Sequence, residues 1–220
     1  MLPPDVKTAI VEDQLFIRDI LRKVCTDELK FEIVAETSDG MVAIGEILRA
    51  AAELVLLDLE LLGADGFTVI ELVRKAGLKP RFLIFSSFMD EFTVYRVEKA
   101  MVHGFMDKTL NDVSALAEAI RGVSRGEARF SSEFARARAA RHADPNSFDK
   151  VLSDREISVL SMIGDLLDDH QIAGALNIAD RTAQKHRFNI QAKLGLGSPR
   201  DLLHYAQDRG FTQSVVRQSR

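Results

Sequence analysis

The chain has 220 residues, 46% of them apolar and 28% charged, with a net charge of −4, which suits one or two globular domains with real cores. No apolar run approaches the roughly 20 residues of a membrane span, and the opening MLPPDVKTAIVEDQ lacks the basic and apolar regions of a signal peptide. A lone cysteine, Cys25, excludes an internal disulfide framework and fits a reducing compartment, and the five His lack zinc-ligand spacing. The expectation is a cytoplasmic protein with no membrane partner, whose cysteine packs in a helix.

Over the first 125 residues two periods alternate. Strand-like apolar runs at Val6–Val11, Glu32–Glu36, Leu54–Leu57, Phe82–Phe85 and Gly104–Met106 are separated by amphipathic stretches at Gln14–Leu29, Gly40–Ala51, Phe67–Ala76, Glu91–Met101 and Asn111–Arg125. Five strands alternating with five helices predict a doubly wound parallel sheet with helices on both faces. From 126 to 149 the pattern fades into a linker, helical at first and broken at Asp144-Pro145-Asn146-Ser147. Its cluster Arg136, Arg138 and Arg141 reads as a solvated helix face.

The remainder is helical. Ser153-x-x-Glu156 and Asp168-x-x-Gln171 fit capping boxes, Ser198-Pro199 pairs a cap with a first-turn proline, and Gly195 and Gly210 suit helix ends. Four helices beginning near Ser153, Asp168, Asp180 and Ser198 follow. From Lys150 onward there are ten Lys/Arg against eight Asp/Glu, so this end is about +2 and the first 149 residues about −6. The two halves suit different partners.

In a parallel sheet the carboxyl ends of the strands carry the chemistry. The first strand ends in Glu12-Asp13, the third in Asp58, the fourth in Ser86-Ser87, and Lys108 follows the fifth. Each has a plainer reading, as a helix cap, a loop hydroxyl or a surface lysine, but four successive strand ends favour a site. Three carboxylates in one crevice repel one another unless a cation binds, and Mg²⁺ with oxygen ligands answers that need. A carboxylate beside Mg²⁺ and a lysine can attack phosphorus to form an acyl phosphate, with Lys108 neutralising the added charge and a Ser hydroxyl donating to it.

VEDQ, LLDLELLGADG, FSS and GFMDK together make residues 5–125 resemble the receiver domain of bacterial two-component response regulators. The resemblance implies that Asp58 is the phosphoacceptor and that Glu12 and Asp13 flank Mg²⁺, with Glu60 offering a backbone carbonyl to the metal. It implies Ser86 as the hydroxyl switch, Lys108 as the phosphate-binding lysine, Phe105 as the aromatic that changes rotamer, and Gly66 as the loop glycine. Two prolines usual in the family are replaced, by Leu62, which should loosen its loop, and by Thr109, which removes a cis peptide.

LSDREISVLSMI and HQIAGALNIADRTAQKHRFNIQAKLGL read as a helix followed by a helix-turn-helix whose turn lies around Asn177–Ala179. LSDRE, QIAGALNI, TAQKH, NIQAKLG and SPRDLLHYA make residues 150–210 resemble the LuxR/NarL-type four-helix DNA-binding domain. That implies Thr182, Gln184, Lys185, Asn189 and Lys193 as candidates for DNA contact and packing roles for Ile178, His186, Ile190 and Leu194. Such domains often dimerise through the last helix, here with Leu202, Leu203 and Ala206. A lysine usual in the family is Gln184 here, which should lower non-specific affinity and flatten its salt dependence. The usual serine cap is Ala179, leaving Asp180 to cap or to favour the helix dipole, and Asp168-Asp169 opens the preceding helix.

The division expected is a receiver domain at 1–125, a linker at 126–149 and a DNA-binding domain at 150–220. The function implied is that of a response regulator, not an enzyme. A sensor histidine kinase phosphorylates Asp58, and the phosphorylated homodimer binds double-stranded DNA to regulate transcription. The alternative keeps the phosphorylation-responsive receiver but gives the helical module a protein partner or a dimer contact instead of DNA. A third reading, a haloacid-dehalogenase-type phosphatase, places a second Asp two residues after the nucleophile, where this chain has Glu60, and no substrate-capping insertion is evident.

Overall fold

The computed structural model describes residues 6–108 and 112–212, so Thr109 lies outside the described residues. The chain divides into two compact units, one bounded by Met1–Met89 and Arg96–Ala135 and the other by Asp90–Tyr95 and Arg136–Arg220.

In the first unit, β1 (Lys7–Val11), β2 (Glu32–Thr37), β3 (Leu54–Asp58), β4 (Arg81–Ser86) and β5 (Gly104–Asp107) alternate with α1 (Leu15–Lys23), α2 (Gly40–Ala50), α3 (Gly66–Lys75), α4 (Glu91–Lys99) and α5 (Val113–Ser124). The opening of α4 is assigned to the second unit. The sheet is parallel in the order β2-β1-β3-β4-β5, the doubly wound arrangement expected. A sixth strand, β6 (Arg129–Phe130), extends the β5 edge. Two residues are too short to show a period, so the fading pattern hid it.

Every residue of β3 is buried, as a central strand covered on both faces requires. Ile10, Leu54, Leu56, Leu83, Ile120 and Val123 belong to one core cluster of this unit. Local chemistry starts the helices. Asp39 accepts from the Met41 and Val42 amides, Asp65 from Thr68 and Asp112 from Ser114, each filling an otherwise unpaired donor of a first turn. Helix α1 runs on into a π-helical turn, Val24–Glu28, in which the Leu29 amide donates to the Val24 carbonyl at 3.0 Å. Cys25 lies fully buried there, and burial pushes its thiol up to about 12.

The stretch 126–149 holds β6, α6 (Ser132–Ala143) and the start of α7 (Phe148–Val151). Its Arg cluster is not uniformly solvated. Arg141 is buried, pairs with Asp149 and places its guanidinium 5.5 Å from the centre of the Tyr95 ring. A half-buried carboxylate partner and a π face compensate the charge that solvent would otherwise screen.

The second unit is built on α8 (Asp154–Gly164), α9 (Asp169–Leu176), α10 (Asp180–Leu194) and α11 (Pro199–Asp208). Both capping boxes form, on Ser153 with Glu156 and on Asp168 with Gln171, and Ser198 caps α11. Asn177 turns left-handed at φ 52° between α9 and α10. Ala179 caps nothing with its side chain; Asp180 sits in the first turn of α10, 3.1 Å from His170. Ile157, Leu160, Ile163, Ile172, Ile190 and Phe211 form the core, with Ile178 and Leu194 packed against it. Gly164 is required there, since a Cβ would lie 1.7 Å from the Phe211 carbonyl oxygen. Leu202 and Ala206, expected on a dimer face of α11, are fully buried in this same core. A side chain wholly covered by its own domain has no surface left to offer a second copy.

Candidate functional site

The register of the sheet assembles the acidic cluster. Val11 stands opposite Leu57, so the next residues, Glu12 and Asp58, emerge side by side where β1 and β3 end. β2 lies on one side of β1 and β3 on the other, which makes this the switch point where such sheets open a crevice. Asp58 stands opposite Phe85 and Ser86 opposite Asp107, which brings Ser86 and then Lys108 to the same end.

Lys108 Nζ lies 2.7 Å from Asp58 Oδ2 and 2.8 Å from Glu12 Oε1, all three side chains being nearly enclosed. The Glu60 amide donates to Asp58 Oδ1 at 3.1 Å and the Gln14 amide to Glu12 Oε1 at 3.1 Å. Glu60 thus meets the site through its backbone. Ser86 is buried, its Oγ accepting from the Phe88 amide at 3.1 Å, while Ser87 faces solvent. Phe105 is fully enclosed in β5 and stacks on Phe134 with ring centres 5.1 Å apart. Gly66 is fixed by the phosphoacceptor strand, because a Cβ would lie 2.4 Å from the Asp58 carbonyl oxygen. In the loop carrying Leu62, the Leu62 carbonyl accepts from the Gly40 and Ala64 amides at 2.8 and 2.9 Å.

Burial is the main force raising the Asp58 carboxyl to about 7; the neighbouring Glu12 charge adds to it, while Lys108 and the Glu60 amide oppose it. Burial also raises Glu12, against the pull of Lys108. For Lys108 burial acts downward, but Asp58 and Glu12 outweigh it and the ammonium is held above its usual range. One ammonium therefore serves a pocket with three acids. Glu12, Asp13 and Asp58 can each present an oxygen within 4.8 Å of the others. Glu12 Oε2 and Asp13 Oδ1 are buried without a hydrogen-bond partner. Unpaired carboxylate oxygens at this spacing fit a hard divalent cation.

One participant escaped the sequence reading. Arg18, one turn into α1, donates to the Glu12 carbonyl at 2.7 Å and pairs with Glu36 at 3.3 Å. Nothing in the spacing of Arg18 points to a carbonyl on the preceding strand end.

In the second unit, Ala183 and Ile190 mark the buried side of α10. Arg181, Thr182, Gln184, Lys185, Phe188, Ala192 and Lys193 are exposed, and Asn189 is half-buried. The candidates divide by what they already hold. Lys193 is engaged with Glu156 at 2.7 Å. Arg187 pairs with Asp169 at 2.7 Å, which neutralises the second acid of the Asp168-Asp169 pair while the first serves as a cap. Thr182, Gln184 and Lys185 stand on the open face, joined by Arg181 and by Phe188, the last of which the sequence reading passed over.

Residues 8–121 match the family model "Response regulator receiver domain", and residues 150–206 match "Bacterial regulatory proteins, luxR family". Nitrate/nitrite response regulator protein NarP of Escherichia coli K12 is 31% identical, over 86% of this chain and 88% of its own length. Fimbriae Z protein of Salmonella typhimurium is 29% identical, over 90% and 94%. Among solved structures, RcsB from Salmonella enterica serovar Typhimurium, bound to promoter rprA in the presence of phosphomimetic BeF3-, superposes with a TM-score of 0.66 at 20% identity, covering 92% of this chain and 98% of that one. That likeness concerns the fold.

Proposed function

The chain belongs to the response regulators in which a receiver domain precedes a LuxR-family DNA-binding domain, and on that premise we propose that it regulates transcription under the control of phosphorylation at Asp58. The proposed division is a receiver at 1–125, a linker at 126–149 and a DNA-binding domain at 150–220. The observation that carries the reading is the enclosed Asp58 carboxylate, 2.7 Å from Lys108 and grouped with Glu12 and Asp13 at the switch point of the sheet.

The donor is a sensor histidine kinase. The phosphorus leaves the imidazole nitrogen of the kinase phosphohistidine and is bonded to an Asp58 carboxylate oxygen, giving an acyl phosphate. Glu12, Asp13, Asp58 and the backbone of Glu60 would hold Mg²⁺, which would supply the positive charge that the three acids and the phosphoryl oxygens need. Lys108 shifts its ammonium from the carboxylate to a phosphoryl oxygen. Ser86 turns its hydroxyl to donate to another, releasing the Phe88 amide, and Phe105 changes rotamer in the space that opens. The added group carries roughly −1.5 to −2 charges, enough to bias a two-state loop. The modified chain forms a homodimer that sets two α10 helices on paired DNA half-sites, with Thr182, Gln184, Lys185 and Asn189 contacting the duplex and Lys193 joining them if it leaves Glu156.

Incubation with Mg²⁺ and acetyl phosphate, followed by intact mass measurement, tests the phosphoacceptor. One added phosphoryl group in the wild type and none in Asp58→Asn is the expected result. An adduct in both proteins would move the acceptor elsewhere.

A further inference from the structure

Phe188 is 71% exposed on α10. An aromatic side chain in that position does nothing for its own core, whose contribution from this helix comes from Ala183 and Ile190 on the opposite side. Its neighbours define a chemistry. At 100° per residue, Arg181, Lys185, Phe188 and Ala192 fall in one narrow stripe with Gln184 and Asn189 on its flanks, and the four of the stripe are all exposed. The stripe is cationic toward the start of the helix and apolar toward its end. A protein partner that suited Phe188 would present a larger apolar surface, and the rest of this stripe offers that surface only Ala192. Arg181 and Lys185 instead ask for anions next to an apolar contact.

Duplex DNA meets both demands. Phosphates line the major groove, and its floor holds one apolar group, the 5-methyl of thymine, against which Phe and Ala are suitable contacts. We propose that Phe188 reads a thymine methyl group and so sets the sequence preference of this chain, with Gln184 one helical turn earlier paired to an adenine. Four residues of helix rise 6 Å, about two base-pair steps, so the methyl and the adenine belong to base pairs roughly two apart. The inference rests on the DNA-binding reading above and adds the group that is recognised.

The full-length protein, phosphorylated with acetyl phosphate, is used to select duplexes from a randomised pool at low salt. Each thymine of the selected half-site is then replaced singly by deoxyuridine, which removes the methyl group alone. In the wild type, one position per half-site loses roughly fourfold in affinity, the worth of one buried methyl, and in Phe188→Ala the same replacement changes nothing. Equal sensitivity to uracil in both proteins, or none in either, overturns the assignment while leaving DNA binding in place. Failure to retain any duplex overturns the DNA reading and this inference together. Light scattering on Phe188→Ala supplies a third arm: a changed oligomeric state with an unchanged uracil pattern makes Phe188 a contact with a second copy and refutes the proposal. Phe188 packs in no core, so the variant folds, and an unaltered melting curve verifies it.

Discussion

The ring of Phe134 in α6 lies on the ring of Phe105 in β5, centre to centre 5.1 Å and 28° from parallel, and Phe130 of β6 also stacks on Phe134, at 5.0 Å. Residues counted as linker thereby help enclose the aromatic residue assigned to the switch. Phe134→Ala deletes a fully buried ring and is expected to cost about 3–5 kcal/mol of stability. Urea unfolding monitored on the first unit measures it. Phe134→Leu, which keeps much of the volume, should recover most of that loss.

The acidic cluster makes the metal-free protein sensitive to pH in an unusual direction. Asp58 is raised to about 7, above its value in an unfolded chain, so the folded form holds a proton that the unfolded form has already released. The stabilisation from this group is therefore fully present below about pH 4 and is lost as pH rises through 7, by up to about 4 kcal/mol. Glu12, also raised, acts in the same sense. Thermal melting in EDTA from pH 5 to 8 should show the decline. Asp58→Asn should flatten it and melt higher at pH 8, and millimolar Mg²⁺ should restore wild-type stability at that pH.

Lys108→Met removes the cation that touches Asp58 and Glu12 at 2.7 and 2.8 Å. Two enclosed carboxylates then lose their partner, a change worth about 3–5 kcal/mol when uncompensated. The loss should be large at pH 8 in EDTA and smaller at pH 5, where Asp58 is protonated. Chemical denaturation at the two pH values separates the charge effect from the lost packing of the lysine stem.

On the DNA side, Lys185→Ala should weaken binding about equally on selected and unrelated duplexes and reduce the slope of log K against log salt by about 1. Lys193→Ala should instead cost folding stability, since its ammonium is bound to Glu156 at 2.7 Å. Salt titrations and melting curves on both variants give opposite patterns if the two lysines divide their work this way.

Much of this molecule could be read from local sequence. The alternation of β and α periods placed the five main strands to within about a residue, because a buried parallel strand and an amphipathic helix write their burial into adjacent positions. Ser153, Asp168 and Ser198 announced their helices, since a cap bonds only two or three residues ahead. The strand-end acids were legible for the same reason, as the sheet's topology brings them together without further help. Pairings across the chain were not. Lys193, a candidate for DNA contact, is held by Glu156, 37 residues earlier, and Asp169 is paired with Arg187. Arg18 on the Glu12 carbonyl and Phe134 on Phe105 depend on tertiary packing alone. Phe188 was overlooked for another reason: an apolar residue in a helix suggests core, and only its phase relative to Ile190 places it outside.

Cys25 gives the first unit a built-in timer. The chain has one cysteine, and its thiol is sealed in the π-helical turn with its ionisation pushed up to about 12. An alkylating reagent attacks thiolates, so the folded unit is inert to it and labelling proceeds only through molecules that have opened. The rate at which a single alkyl mass appears is then a clock for that opening. Run with and without phosphodonor, it reports how tightly an occupied phosphoacceptor site closes a helix at the other end of β1, with no engineered probe in the chain.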